Sequence, residues 1–80
     1  MIPLYGFLQG DTIGILVLAD EAETMASLAR KLESASSVRV APRPQLAVVV
    51  GGCEMAAEAT VRQVGLGTLD RFDVIAAEAR

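Results

Sequence analysis

The sequence predicts a single α+β domain in which one helix lies across one face of a mixed β-sheet. Three observations carry that prediction. The chain has 80 residues, 52% hydrophobic and 21% charged, which is too apolar for a disordered chain and too short for two separate cores. Runs with strand-like alternation lie toward both ends, and one segment of helical periodicity separates them. Glycine occupies each short gap between neighbouring strand-like runs, as a hairpin turn requires.

Residues 4–9 and 12–18 are β-prone and meet at Gly10-Asp11, so a first hairpin is expected there. Residues 24–35 set Met25, Leu28, Ala29 and Leu32 at i, i+3, i+4 and i+7, with Arg30, Lys31 and Glu33 on the other side, which describes an amphipathic helix. Thr24 is its natural N-cap, because the hydroxyl accepts from a first-turn amide. The acids just before it, Asp20, Glu21 and Glu23, suit the positive end of the helix dipole. Residues 38–44 form a connector in which Pro42 and Pro44 forbid helix and central strand. A short strand at residues 46–50, a Gly51-Gly52 turn and a brief strand at 53–55 make a second hairpin. Thr60 starts and Gly65 stops a single helical turn, and residues 72–77 close the domain as a strand. The order is ββαββ, a short helix, then β. The long helix supplies the crossover that parallel pairing of the first and last strands needs, and the arrangement is a β-grasp. Element order alone is also compatible with other small α+β topologies. No repeat or linker interrupts residues 1–80, so one domain is expected.

Composition removes several functions. The net charge is −3, which disfavours nucleic acid because phosphate binding needs a basic face. There is no histidine, hence neither the commonest general base nor the commonest metal ligand. One cysteine, Cys53, makes no internal disulfide, no thiolate zinc site and no iron–sulfur cluster; a half-buried strand position is expected for it. The apolar start lacks a basic region and a cleavage site, so it does not read as a signal peptide. The longest uncharged apolar run, 13–19, falls far short of the roughly 20 residues of a membrane span. A cytoplasmic protein without a membrane partner is expected. Gly51-Gly52 sits mid-chain, where it suits a turn and not the terminal diglycine of a modifier. No Glu-x-x-His occurs, so a di-iron site would have to belong to another chain.

From Leu46 onward the pattern resembles ubiquitin: an apolar strand, the Val50-Gly51-Gly52 turn, Met55, an acidic loop, Thr60-Val61, Leu66, and alternating Phe72 and Val74. The likeness extends to the first hairpin, with Gly10, Ile13, Ile15 and Val17, and to the Thr24-capped helix. A narrower resemblance lies in Arg39-Val40-Ala41-Pro42-Arg43, followed by a strand, Thr60-Val61, Gly65-Leu66 and Asp73-Val74. These residues are similar to the toluene-4-monooxygenase system protein B family, the ubiquitin-like γ subunits of bacterial soluble di-iron monooxygenase hydroxylases. The resemblance implies a non-catalytic subunit of an oxygen-dependent, NADH-driven hydrocarbon monooxygenase, aromatic or alkene. Its partners would be the hydroxylase α and β subunits, and its own chain would hold no cofactor, the di-iron centre lying in the α subunit.

Strand alternation then points to an interface. With Ile13, Ile15 and Val17 facing the helix, Leu16 faces away from it; Val48, Phe72 and Val74 are expected inward with Val49 and Ile75 outward. Tyr5 and Phe7 are read as inward, which sends Leu4 and Leu8 outward. Leu8, Val49 and Ile75 would occupy the places of ubiquitin's apolar interaction patch, extended by Leu4 and Leu16. An apolar outer face of this kind marks a protein contact, since a lone sheet keeps that face polar. Arg39 and Arg43 flank the stiff connector and are candidates for the same interface or for solvated loop charges. The alternative function is a free-standing ubiquitin-like interaction adaptor.

Overall fold

In a computed structural model, residues 1–37 and 45–77 are described. Strand β1 (Ile2–Leu8) pairs antiparallel with β2 (Ile15–Ala19), and helix α1 (Met25–Ala35) follows. Strands β3 (Leu46–Val50) and β4 (Cys53–Met55) form the second hairpin. The single-turn helix α2 (Val61–Val64) leads to β5 (Arg71–Ala76), which runs parallel to β1 and antiparallel to β3. The sheet order is β2-β1-β5-β3-β4, the mixed sheet of a β-grasp, with α1 on one face.

Local chemistry sets the boundaries. Gly51 and Gly52 take φ of 59° and 82°, as the tightest hairpin turn demands. The first turn is looser: ladder pairing ends at Gly6 opposite Ile15, and β2 begins at Ile15 instead of Thr12. The two helix starts are laced together. Thr24 and Thr60 cap α1 and α2 and form an isolated β-bridge with each other. Met25 N–H donates to the Ala59 carbonyl at 2.8 Å, and Val61 N–H donates to the Glu23 carbonyl at 2.9 Å. First-turn amides that a lone helix leaves unpaired are thus satisfied by the other helix's lead.

Core side chains come from every element except β4 and include Leu4, Leu8, Val17, Met25, Leu28, Leu32, Val48, Val61, Phe72 and Val74. Val48, Phe72 and Val74 face inward as expected. Leu4 and Leu8 do not face outward: they are 0% and 5% exposed and belong to the core. Tyr5 and Phe7 take the outer face instead. The reason lies in the register, which sets Leu4 opposite Val17 and Leu8 beside Val74. Paired residues share a face, so burying Val17 and Val74 buries Leu4 and Leu8 with them. Gly6 lies on this inner face. A Cβ there would stand 2.7 Å from Phe72 Cζ and 3.0 Å from both Leu32 methyl groups, so the missing side chain lets α1 approach the sheet. Cys53 is exposed, not half-buried, at the start of the short edge strand β4. Arg39 and Arg43 lie outside the described residues.

Two further ties hold the frame. Lys31 donates to Glu23 Oε1 at 2.9 Å and to the Leu18 carbonyl at 2.7 Å, joining α1 to edge strand β2. Burial raises the Glu23 carboxyl, but the hydrogen bonds from Lys31, Ser27 and the Asp20 amide, with the Lys31 charge, outweigh it and hold its pKa below the ordinary value. Before β5, Leu69 adopts a left-handed φ of 63°, and its amide donates to the Pro3 carbonyl at 2.6 Å.

Candidate functional site

The face of the sheet opposite α1 is the candidate site. Its β2 edge presents Leu16 and Leu18, 55% and 53% exposed, and the register places Tyr5, 44% exposed, beside Leu16 and Pro3 beside Leu18. Across β5 the same face continues through Arg71 and Asp73 to half-buried Val49 and Ile75. Of the residues expected at an interface, Leu16, Val49 and Ile75 therefore share this face, while Leu4 and Leu8 lie on the other.

Sequence reasoning missed Tyr5, Phe7 and Arg71. The signal for the first two was available, because a turn at Gly10-Asp11 sets Tyr5 across from Leu16 and Phe7 across from Gly14. The end of the Phe7 ring lies where a Gly14 Cβ would stand, 2.6 Å away, so Gly14 makes room for it. Tyr5 and Phe7 stack at 6.3 Å between centroids. Arg71 Cζ lies 4.1 Å from the Phe7 ring centroid, within cation–π range. Its Nε donates to Asp73 Oδ1 at 3.0 Å. The face thus combines large apolar area with one oriented guanidinium.

Other parts of the molecule offer less chemistry. A groove of about 170 Å³ between the start of α1 and the β3–β4 hairpin is lined by Met25, Leu46, Met55 and several alanines, with Glu54 the one charged side chain among the described lining residues. Among the described residues no three His, Cys, Asp or Glu side chains cluster to hold a metal ion, and no helix is long and apolar enough to cross a membrane.

Comparison with known proteins places this arrangement. A chain of the toluene 4-monooxygenase HD complex with the inhibitor 4-bromobenzoate superposes with a TM-score of 0.86 at 24% identity, over 94% of this chain and 96% of that one. Caldiarchaeum subterraneum ubiquitin superposes with a TM-score of 0.78 at 13% identity, over 98% and 95%. At these identities the likeness establishes the fold, ubiquitin-like throughout. Curated protein sequences give no match. The family model for toluene-4-monooxygenase system protein B matches residues 1–75, nearly the whole sequence. The chain therefore belongs to the toluene-4-monooxygenase system protein B family and is a component of a monooxygenase system.

Proposed function

We propose that this chain is a non-catalytic small subunit of a di-iron hydrocarbon monooxygenase hydroxylase, which docks on and stabilises the large catalytic chain through the outer face of its sheet. The observation that carries the reading is the exposure of Leu16, Leu18 and Tyr5 side by side on the face that no element of the described chain covers. Water tolerates scattered apolar side chains, but a contiguous apolar sheet face marks a surface that another protein covers. Family membership supports a monooxygenase partner, and the absence of histidine from the sequence agrees with catalysis residing elsewhere. In this reading iron is held by the large chain, and this subunit contributes surface and rigidity.

The test is assembly. Val49→Asp places a carboxylate at a half-buried position on the outer face. It is expected to weaken binding to the purified large hydroxylase chains by several kcal/mol, about a thousandfold, while the isolated domain stays folded, because the charge is stranded without water only in the complex. Full-affinity binding by that variant, or none by the natural chain, refutes the docking role and leaves the free-standing adaptor.

A further inference from the structure

We propose that Arg71 is the polar anchor of this docking face, and that the protein covering it meets the guanidinium with a carboxylate; the inference rests on the docking reading and specifies the partner's chemistry. Arg71 opens β5 beside Tyr5, which in turn pairs with exposed Leu16, so its charge stands directly against the aromatic part of the apolar area. Phe7 supports the flat side of the guanidinium, and Asp73 takes the Nε donor. The head group is therefore held in one orientation before any partner arrives. An arginine carries five N–H donors, and those on its two terminal nitrogens make no hydrogen bond to any described side chain or backbone group.

In the free chain water satisfies these donors, the side chain being well exposed. A covering protein removes that water, and an unmatched guanidinium in an apolar contact is costly. Two parallel N–H groups on a planar fork match the two oxygens of a carboxylate better than they match any single acceptor. Asp73 cannot supply the match, since it is already engaged at Nε on the same strand. The complementary acid must come from the partner. Because Phe7 and Asp73 have already fixed the arginine, little side-chain freedom is lost on binding, which suits an anchor.

The experiment titrates the full chain and its variants against the purified large hydroxylase chains prepared without it, at low and high salt. Arg71→Met keeps a stem over Phe7 and removes the donors; it is expected to bind at least 30-fold more weakly, with a flatter salt dependence, and to melt within about 2 °C of the natural chain. Arg71→Lys keeps the charge without the fork and is expected to lose about tenfold with the salt dependence intact. Leu16→Asp serves as the control for docking itself. If Leu16→Asp abolishes binding while Arg71→Met binds within about threefold of the natural chain, the anchor is refuted and docking stands. If Arg71→Met weakens binding without changing its salt dependence, the acceptor is neutral and the carboxylate is refuted. If neither variant matters, or if sedimentation shows the face buried between two copies of this chain, the docking reading fails as well.

Discussion

Leu4→Ala and Leu16→Ala, made one at a time, separate the two faces of the first hairpin. Leu4 has no exposed surface and sits opposite Val17 in the core, whereas Leu16, on the neighbouring position of β2, is more than half exposed. Truncating a fully buried leucine costs about 2–5 kcal/mol, the lost transfer free energy plus the cavity left behind. An 80-residue domain has only about 4–12 kcal/mol of stability in total, so a central value near 3 kcal/mol removes a quarter or more of it. With an unfolding entropy of about 2.1 cal/mol/K per residue, that loss lowers Tm by roughly 18 °C. Leu16→Ala is expected within about 0.5 kcal/mol of the natural chain, a shift under roughly 3 °C. Thermal and urea unfolding of the isolated chain, followed by far-UV circular dichroism, read both. Equal shifts, or a larger one for Leu16, would put the wrong face of β1 in the core and dismantle the docking argument with it.

Three other perturbations probe the frame. Gly6→Ala forces a methyl group against Phe72 and Leu32, and is expected to destabilise by about 1–3 kcal/mol in urea titrations; an unchanged midpoint would mean that α1 is not seated so close. Leu69→Asn relieves a left-handed φ at an exposed side chain and should stabilise by up to about 1 kcal/mol, since asparagine tolerates that region; a loss would show that the Leu69 side chain contributes packing. The Glu23 carboxyl has its pKa lowered in the folded state from an ordinary 4.5, so its contribution is complete above that value and lost as pH falls through the folded value. Urea midpoints measured from pH 7 to pH 3 should fall less steeply for Glu23→Gln than for the natural chain, and parallel curves would count against the Lys31–Glu23 tie.

Much of the fold was legible because local rules and tertiary demands agree in this chain. Thr24, Thr60 and Gly65 act as caps where capping chemistry predicts them, and Gly51-Gly52 turns where a two-residue hairpin needs positive φ. The outer face was legible on β5, where Arg71 and Asp73 alternate with Phe72 and Val74. On β2 and β3, Leu16 and Val49 face opposite to Val17 and Val48 as strand parity implies, although Ile13, expected inward, is exposed. Strand β1 resisted because every position in 2–8 is apolar or glycine, so alternation carries no information there. Only pairing assigns its faces, and the hairpin register does so through Val17. Gly6 was hidden for a related reason: the close approach of Phe72 and Leu32 joins residues far apart in sequence. Arg71 was passed over because the value of a lone arginine depends on Phe7 lying beneath it, which again follows only from the parallel β1–β5 register.

Among the described residues, helix dimensions leave the outer face bare. Helix α1 has 11 residues and is about 16 Å long at 1.5 Å per residue, while five strands at about 4.8 Å spacing set the outermost strand axes some 19 Å apart. One such helix is consumed in covering one face, and α2, four residues long, fills only the end of that same layer. The described residues supply no second helix for the other side, so the polarity of that side decides whether it is suited to solvent or to a partner. Its apolar character, with Tyr5, Leu16 and Leu18 exposed together, fits a permanent subunit, whose contact resembles a core divided between two chains. Binding would then add stability by mass action, about 2.7 kcal/mol at a partner concentration 100 times Kd. That is as large as the expected cost of Leu4→Ala or Gly6→Ala, so core defects that unfold the isolated chain should be masked in the assembled complex, whereas Val49→Asp should do the reverse: near-silent in isolation and damaging on assembly.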